Sequence, residues 1–105
     1  MRLMLSMLTW PDGAKPEVRD IDGELVIGRG QECGWMLNDP RGHLSRRHCK
    51  LTRLGDGWRV SDLSLNGTFI NDAAVPIGRE TGYQLNDGDR IRIGSHEFTV
   101  EIRPS

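Results

Sequence analysis

The stretch Arg47-His48-Cys49-Lys50-Leu51-Thr52-Arg53-Leu54-Gly55-Asp56-Gly57-Trp58-Arg59-Val60-Ser61 decides the fold. From Arg47 onward, Cys49 and Leu51 alternate with Lys50 and Thr52, the period of a strand that buries one face. Gly55-Asp56-Gly57 offers the permissive backbone of a hairpin turn, and Trp58-Arg59-Val60-Ser61 returns as a second half-buried strand. The expected unit is an antiparallel hairpin with Cys49 and Leu51 turned to the core.

The same grammar extends in both directions. Upstream, Leu3 to Leu8 reads as a first strand stopped by the turn Trp10-Pro11-Asp12-Gly13. A polar stretch with Lys15 and Pro16 follows, then a short strand from Val18 to Ile21 and a turn at Asp22-Gly23. Leu25, Val26 and Ile27 run into Gly28-Arg29-Gly30, and Trp35-Met36-Leu37 is closed by Asn38-Asp39-Pro40. Downstream, Asp62-Leu63-Ser64-Leu65 leads to the turn Asn66-Gly67, a strand at Thr68-Phe69-Ile70 and another turn at Asn71-Asp72. Pro76 and Gly78 break the chain again. Tyr83-Gln84-Leu85 leads to Asn86-Asp87-Gly88-Asp89, and Ile91-Arg92-Ile93 pairs with Phe98 to Ile102 across Gly94-Ser95. Short strands with turns every ten or so residues predict an all-β sandwich or barrel. A sandwich is favoured because the polar clusters fall on loop tips and not on strand faces.

Composition sets the bounds. A chain of 105 residues suits a single domain, with one core and no need of metal or disulfide staples. Hydrophobic residues make up 36% and glycines number 13, which points to many turns and little helix. The formal net charge of −1 gives no bulk attraction to nucleic acid or anionic membrane, so positive charge matters only where it clusters. Cys33 and Cys49 are the only cysteines, and nothing resembles a secretory signal, so a reducing cytoplasm is expected. Met1 to Leu8 is far too short and too interrupted to span a bilayer. Arg103-Pro104-Ser105 is the one place where a linker would begin.

Positive charge does cluster from Gly42 to Lys50, Gly-His-Leu-Ser-Arg-Arg-His-Cys-Lys, with no acid among it. A phosphate dianion is held by charge-assisted bonds from guanidinium groups, completed by hydroxyl and backbone N–H donors. Ser45, Arg46 and Arg47 supply such donors consecutively. A short basic cluster alone is more often a solvated face, so the reading needs support from elsewhere in the chain.

That support comes from Gly28-Arg29 after a strand, Ser45-Arg46-Arg47-His48 before one, and Asn66-Gly67-Thr68 at a turn. The glycine-arginine pair, the serine-x-x-histidine motif and the asparagine-glycine motif, in this order and spacing, resemble the forkhead-associated (FHA) domain over about residues 3 to 102. The resemblance implies an FHA-type (SMAD/FHA-like) β-sandwich of about eleven short strands. Loops at one end would bind a phosphothreonine peptide, with no bond made or broken, no catalytic residue and no cofactor. A phosphothreonine carries about −1.5 to −2 charges and three acceptor oxygens, and arginine clusters on rigid scaffolds are a general means of reading it.

Residue by residue, the resemblance implies that Arg29 and Ser45 meet the phosphate and that Arg46 adds a contact. Asn66 would hold the peptide backbone beside the phosphothreonine. Gly28, His48, Gly67 and Thr68 match structural positions, the glycines for tight backbone geometry and His48 for tying loops together. His43 matches the position that helps select the side chain three residues after the phosphothreonine, and Arg41 and His43 together would favour an acidic residue there. Leu65 departs from the pattern, for it stands where many family members carry a threonine, serine or arginine that helps bind phosphate. Ser64 or Arg46 would have to compensate.

A narrower resemblance rests on Met1-Arg2-Leu3, on Cys33-x-Trp35-x-Leu37-x-Asp39-Pro40 and on Leu44-Ser45-Arg46-Arg47-His48-Cys49. These look like the amino-terminal module of FHA proteins of bacterial type VI secretion systems. On that reading residues 1 to 105 are one part of a larger scaffold, the partner is a threonine-phosphorylated secretion component, and a serine/threonine kinase controls binding.

Three other readings compete. A phospho-independent interaction or dimerisation module keeps the fold and drops the phosphate, with Leu65 as its sequence support. A zinc site from Cys33, His43, His48 and Cys49 is disfavoured, because His48 and Cys49 are adjacent on an expected strand and Cys33 lacks a Cys-x-x-Cys partner. Gly28-Arg29-Gly30 lacks the remaining glycines and lysine of a nucleotide loop, and nucleic-acid binding lacks an aromatic stacking pattern.

Overall fold

A computed structural model describes residues 2–10, 16–55 and 57–104. Among them ten strands form, where the resemblance implies about eleven, and no helix is present. They are β1 (Arg2–Thr9), β2 (Val18–Ile21), β3 (Glu24–Gly28), β4 (Trp35–Met36), β5 (Cys49–Leu54), β6 (Gly57–Asp62), β7 (Phe69–Ile70), β8 (Gly82–Leu85), β9 (Arg90–Ile93) and β10 (His96–Arg103). The core of the turn expected at Trp10-Pro11-Asp12-Gly13, the polar stretch with Lys15, the central Asp56 of the β5–β6 turn and the terminal Ser105 lie outside the described residues.

The strands make two five-stranded sheets, ordered β2-β1-β10-β9-β7 and β4-β3-β5-β6-β8. Every pairing is antiparallel except β3 with β4. The hairpin read from Arg47 to Ser61 forms with Leu51 opposite Val60 and Cys49 opposite Asp62, and Ile91 faces Phe98 in the β9–β10 hairpin. Alternation puts Leu3, Leu5, Ile91, Ile93, Phe98 and Val100 on the inner face of one sheet. Ile27, Cys49, Leu51, Trp58 and Val60 line the inner face of the other, all in one buried core. Trp35 meets Phe98 edge to face across the layers, with ring centroids 5.2 Å apart, a favoured aromatic geometry. No described helix is long and apolar enough to cross a membrane.

One boundary differs from expectation in a way that matters for the site. Strand β5 begins at Cys49 and not at Arg47. His48 therefore lies ahead of the strand, and both His48 and Cys49 are fully buried, each in a different setting. Cys49 enters the core between the sheets, while His48 is covered by the loop between β6 and β7, to which its ring is bonded.

Candidate functional site

Three loops converge at one end of the sandwich: 29–34 between β3 and β4, 37–48 between β4 and β5, and 63–68 between β6 and β7. Backbone bonds join the first two, with Arg29 N–H donating to Ser45 O (3.2 Å) and Gly30 N–H to Arg46 O (3.0 Å), and His48 N–H donates to Ile27 O (2.8 Å) near the end of β3. This approach explains Gly28. A Cβ there would lie 2.2 Å from Arg46 O and 2.9 Å from His48 N, so no side chain fits.

The third loop is attached by both side chains and backbone. Leu63 N–H donates to His48 O (2.9 Å), Leu65 N–H to the Ser45 hydroxyl oxygen (3.1 Å), and Asn66 Nδ2 to His43 O (2.9 Å). His48 sits beneath the junction, its Nδ1 accepting Ser45 N–H at 3.1 Å and its Nε2 lying 2.9 Å from Gly67 O. A backbone N–H can only donate and a carbonyl can only accept. These partners assign the neutral tautomer with its proton on Nε2. Burial, opposed by the Gly67 bond and by Asp62 and Asp39, holds His48 below the ordinary histidine value of 6.5.

Sequence reasoning missed the residue that shapes the third loop, Asp62. Its carboxylate is buried and accepts from Ser64 N–H (3.0 Å), Ser64 Oγ (2.5 Å), Thr68 N–H (3.1 Å) and Thr68 Oγ1 (2.9 Å). Burial opposes the charge, but these bonds together outweigh it and keep the pKa below 3.8. Ser64 Oγ also accepts Gly67 N–H at 2.8 Å. The Ser64 hydroxyl is thus buried and committed, and cannot supply the donor that Leu65 lacks. Gly67 takes φ +104°, and a Cβ would meet the Phe69 ring and Pro76 at 2.9 Å. A signal for Asp62 was present, since Asp followed by Ser two residues on, before Asn-Gly, is a side-chain-to-backbone turn pattern.

Asp39 plays the matching part in the second loop, accepting His43 N–H (3.0 Å) on one oxygen and Leu44 N–H (2.9 Å) on the other. A fourth turn, unmentioned by the motifs, also packs here. A Cβ at Gly94 would lie 3.0 Å from Leu44 Cδ2 and 3.3 Å from His43 Cβ.

The side chains that remain at the surface have unspent donors. Arg29 is exposed and gives its Nε–H to Leu44 O at 2.9 Å. Its two terminal amino groups have no partner among the described residues. Ser45 Oγ accepts from Leu65, which leaves its own O–H to donate outward. Arg46 is exposed but engaged, with Nη2 3.0 Å from Glu32 Oε1. Arg41 and His43 are exposed beside it in sequence, and the Leu65 side chain is 85% exposed while its backbone does the binding to Ser45. Thr68 is buried in the Asp62 cluster. Two guanidinium groups and a hydroxyl, brought to one end by stitched loops, are donors of the kind a phosphate takes.

Among the described residues no three His, Cys, Asp or Glu side chains group so as to hold a metal ion. Cys33 gives its S–H to Arg46 O at 2.9 Å, and burial pushes the Cys49 thiol up to about 12, where it is neither ligand nor nucleophile at neutral pH.

Comparison with known proteins identifies the family of this fold. Residues 25–94 match the sequence profile of the FHA domain. FhaA, an FHA domain-containing protein of Mycobacterium tuberculosis, is 37% identical over 92 residues, which is 87% of this chain but only 16% of FhaA. A structure solved in a structural and functional analysis of phosphothreonine-dependent FHA domain interactions is 33% identical with a TM-score of 0.78 and full coverage of both chains. The FhaA FHA domain complexed with the intracellular domain of Rv3910 is 34% identical with a TM-score of 0.73, covering 94% of this chain and 99% of that one. With the family profile spanning most of the chain and the two-sheet sandwich in place, the chain belongs to the FHA domain family.

Proposed function

We propose that this chain is a phosphothreonine-binding module that docks a threonine-phosphorylated partner protein and catalyses nothing. Arg29, Ser45 and Arg46 hold the phosphate, Asn66 holds the peptide backbone, and Arg41 and His43 bias the choice of peptide. Gly28, His48, Gly67 and Thr68 keep the loops in register. The observation that carries this reading is how donors are divided at the loop end. The bonds that fix the loops consume Arg29 Nε and a lone pair of Ser45, and they leave the terminal guanidinium nitrogens and the hydroxyl proton for a ligand. The relative characterised for phosphothreonine-dependent interactions supports it at 33% identity, and the FhaA complex supports a protein partner.

We extend the proposal to the setting. Residues 1–105 act as one recognition domain of a longer cytoplasmic scaffold, and a serine/threonine kinase switches the partner on. The finer setting of type VI secretion rests on the three sequence stretches alone, and FhaA, one of the relatives of this chain, is mycobacterial. The phospho-independent alternative has only the exposed Leu65 side chain in its favour.

An oriented library of phosphothreonine peptides, with unphosphorylated twins and the Arg29→Ala protein, tests the reading. Binding should require the phosphate, and Arg29→Ala should weaken it by about 2 to 5 kcal/mol, while loss of the Arg29 Nε–Leu44 O bond should lower stability by only about 1 kcal/mol. Equal binding of the phosphorylated and unphosphorylated twins would refute it.

A further inference from the structure

Among the described residues, Arg46 is the one cation of the proposed phosphate site that already holds an anion. Its Nη2 lies 3.0 Å from Glu32 Oε1 and 3.4 Å from Oε2, and its Nε lies 3.4 Å from Oε2, so both carboxylate oxygens are engaged. The surroundings are shaped for this. A Cβ at Gly30 would fall on the Glu32 carboxylate, so the glycine leaves the space that the carboxylate fills. The Arg46 carbonyl is held by Gly30 N–H and by the Cys33 S–H, which fixes the backbone from which the guanidinium extends.

From this geometry we infer that Glu32 is an internal competitor for the phosphate, a carboxylate that occupies Arg46 in the free domain and limits its affinity for phosphothreonine. The inference rests on the phosphothreonine reading above. A guanidinium recognises carboxylate and phosphate by the same paired N–H donors, so Arg46 cannot serve both fully. The incoming dianion carries more charge and three acceptor oxygens, and displaces the carboxylate. Binding therefore includes breaking the Glu32–Arg46 pair. Both side chains are about half exposed, at 47% and 59%, so water screens the pair and it shifts an equilibrium by only about two- to fivefold.

Glu32 sits three residues beyond Arg29, in the first loop and not in the basic cluster. That placement makes it an affinity-setting residue and no part of the phosphate cradle. It also separates two ways of acting. A carboxylate that works by holding Arg46 loses its effect when Arg46 is removed, whereas general repulsion of the phosphate does not need Arg46.

The test is a double-mutant cycle on the folded domain, measured by calorimetry. The probe is a degenerate phosphothreonine peptide with randomised flanks, and the proteins are wild type, Glu32→Gln, Arg46→Ala and the double variant. Glu32→Gln should tighten binding about two- to fivefold, and the same substitution in the Arg46→Ala background should give little or no gain. Unchanged or weaker binding by Glu32→Gln overturns the inference, and so does an equal gain in both backgrounds. If wild type binds the peptide while the cycle fails, the phosphothreonine reading survives and only the competitor is lost. If none of the four proteins binds, both fall.

Discussion

His48 Nε2 lies 2.9 Å from the Gly67 carbonyl oxygen, 19 residues on, and ties the loop that carries Ser45 to the loop that carries Asn66. The other ring nitrogen accepts Ser45 N–H, so one buried imidazole sets the spacing between two of the three motif loops.

This arrangement requires a neutral ring and gives stability a pH dependence. A proton on Nδ1 would face the Ser45 N–H, donor against donor. Burial also lowers the pKa of His96, whose two ring nitrogens have no protein partner among the described residues and whose ring stacks on Phe98. Both histidines are thus lowered from 6.5 in the folded state. The stability they contribute is present above that value and is lost as pH falls through the folded pKa values. Urea unfolding should be flat with pH above about 7 and should weaken steadily from about pH 6.5 downward. His96→Phe gives up no bond to another described residue, so it should match wild type at pH 7.5 and show a shallower acid decline. A wild-type stability independent of pH between 7.5 and 5 would remove the argument.

Asp62 should be as sensitive to substitution as any site residue, although it touches no ligand in the proposed function. Its two oxygens accept four hydrogen bonds from Ser64 and Thr68. Asparagine can accept on one oxygen only and turns an NH2 toward groups that are themselves donors. Asp62→Asn should cost about 2 to 4 kcal/mol in urea unfolding. It should also speed hydrogen exchange at the Gly67 and Thr68 amides, which donate to Ser64 and Asp62. Unaltered exchange at those amides would show that the loop is held by something else.

How much of this was legible beforehand varied with the range of the interaction. The strand from Val18 to Ile21 and the Cys49 to Asp62 hairpin follow from alternation and turn residues, which are local signals. The motif residues were located because loops of this family keep them in a fixed order. The strand boundary at Cys49 was misread because His48 fits the alternation, yet it is buried by a loop 19 residues away. Asp62 carries only the local Asp-x-Ser signal, because its bonds to Thr68 are defined by the folded turn, and Glu32 carries none because its partner Arg46 lies 14 residues on. Periodicity reports which face of a strand is wet. It does not report which loop will cover the strand's end, or which carboxylate will reach a given arginine.

Gly28 allows the sharpest test of the close loop approach. The obstacle to any side chain is backbone: the Arg46 carbonyl at 2.2 Å and the His48 nitrogen at 2.9 Å from where a Cβ would stand. Neither group is free to retreat. Arg46 O is held by Gly30 N–H and Cys33 S–H, and His48 N–H is bonded to Ile27 O. Gly28→Ala should therefore pry the second loop from the first, costing about 2 to 4 kcal/mol and weakening phosphopeptide binding through misplacement of Ser45. Gly57 is the control. It also has no positive φ, and its Cβ would meet little beyond the tip of the Gln84 side chain at 3.2 Å. Gly57→Ala should stay within about 1 kcal/mol of wild type and bind normally. Equal stability of the two variants would mean that the loops tolerate separation and that the glycine of the Gly28-Arg29 pair is dispensable for placing Ser45.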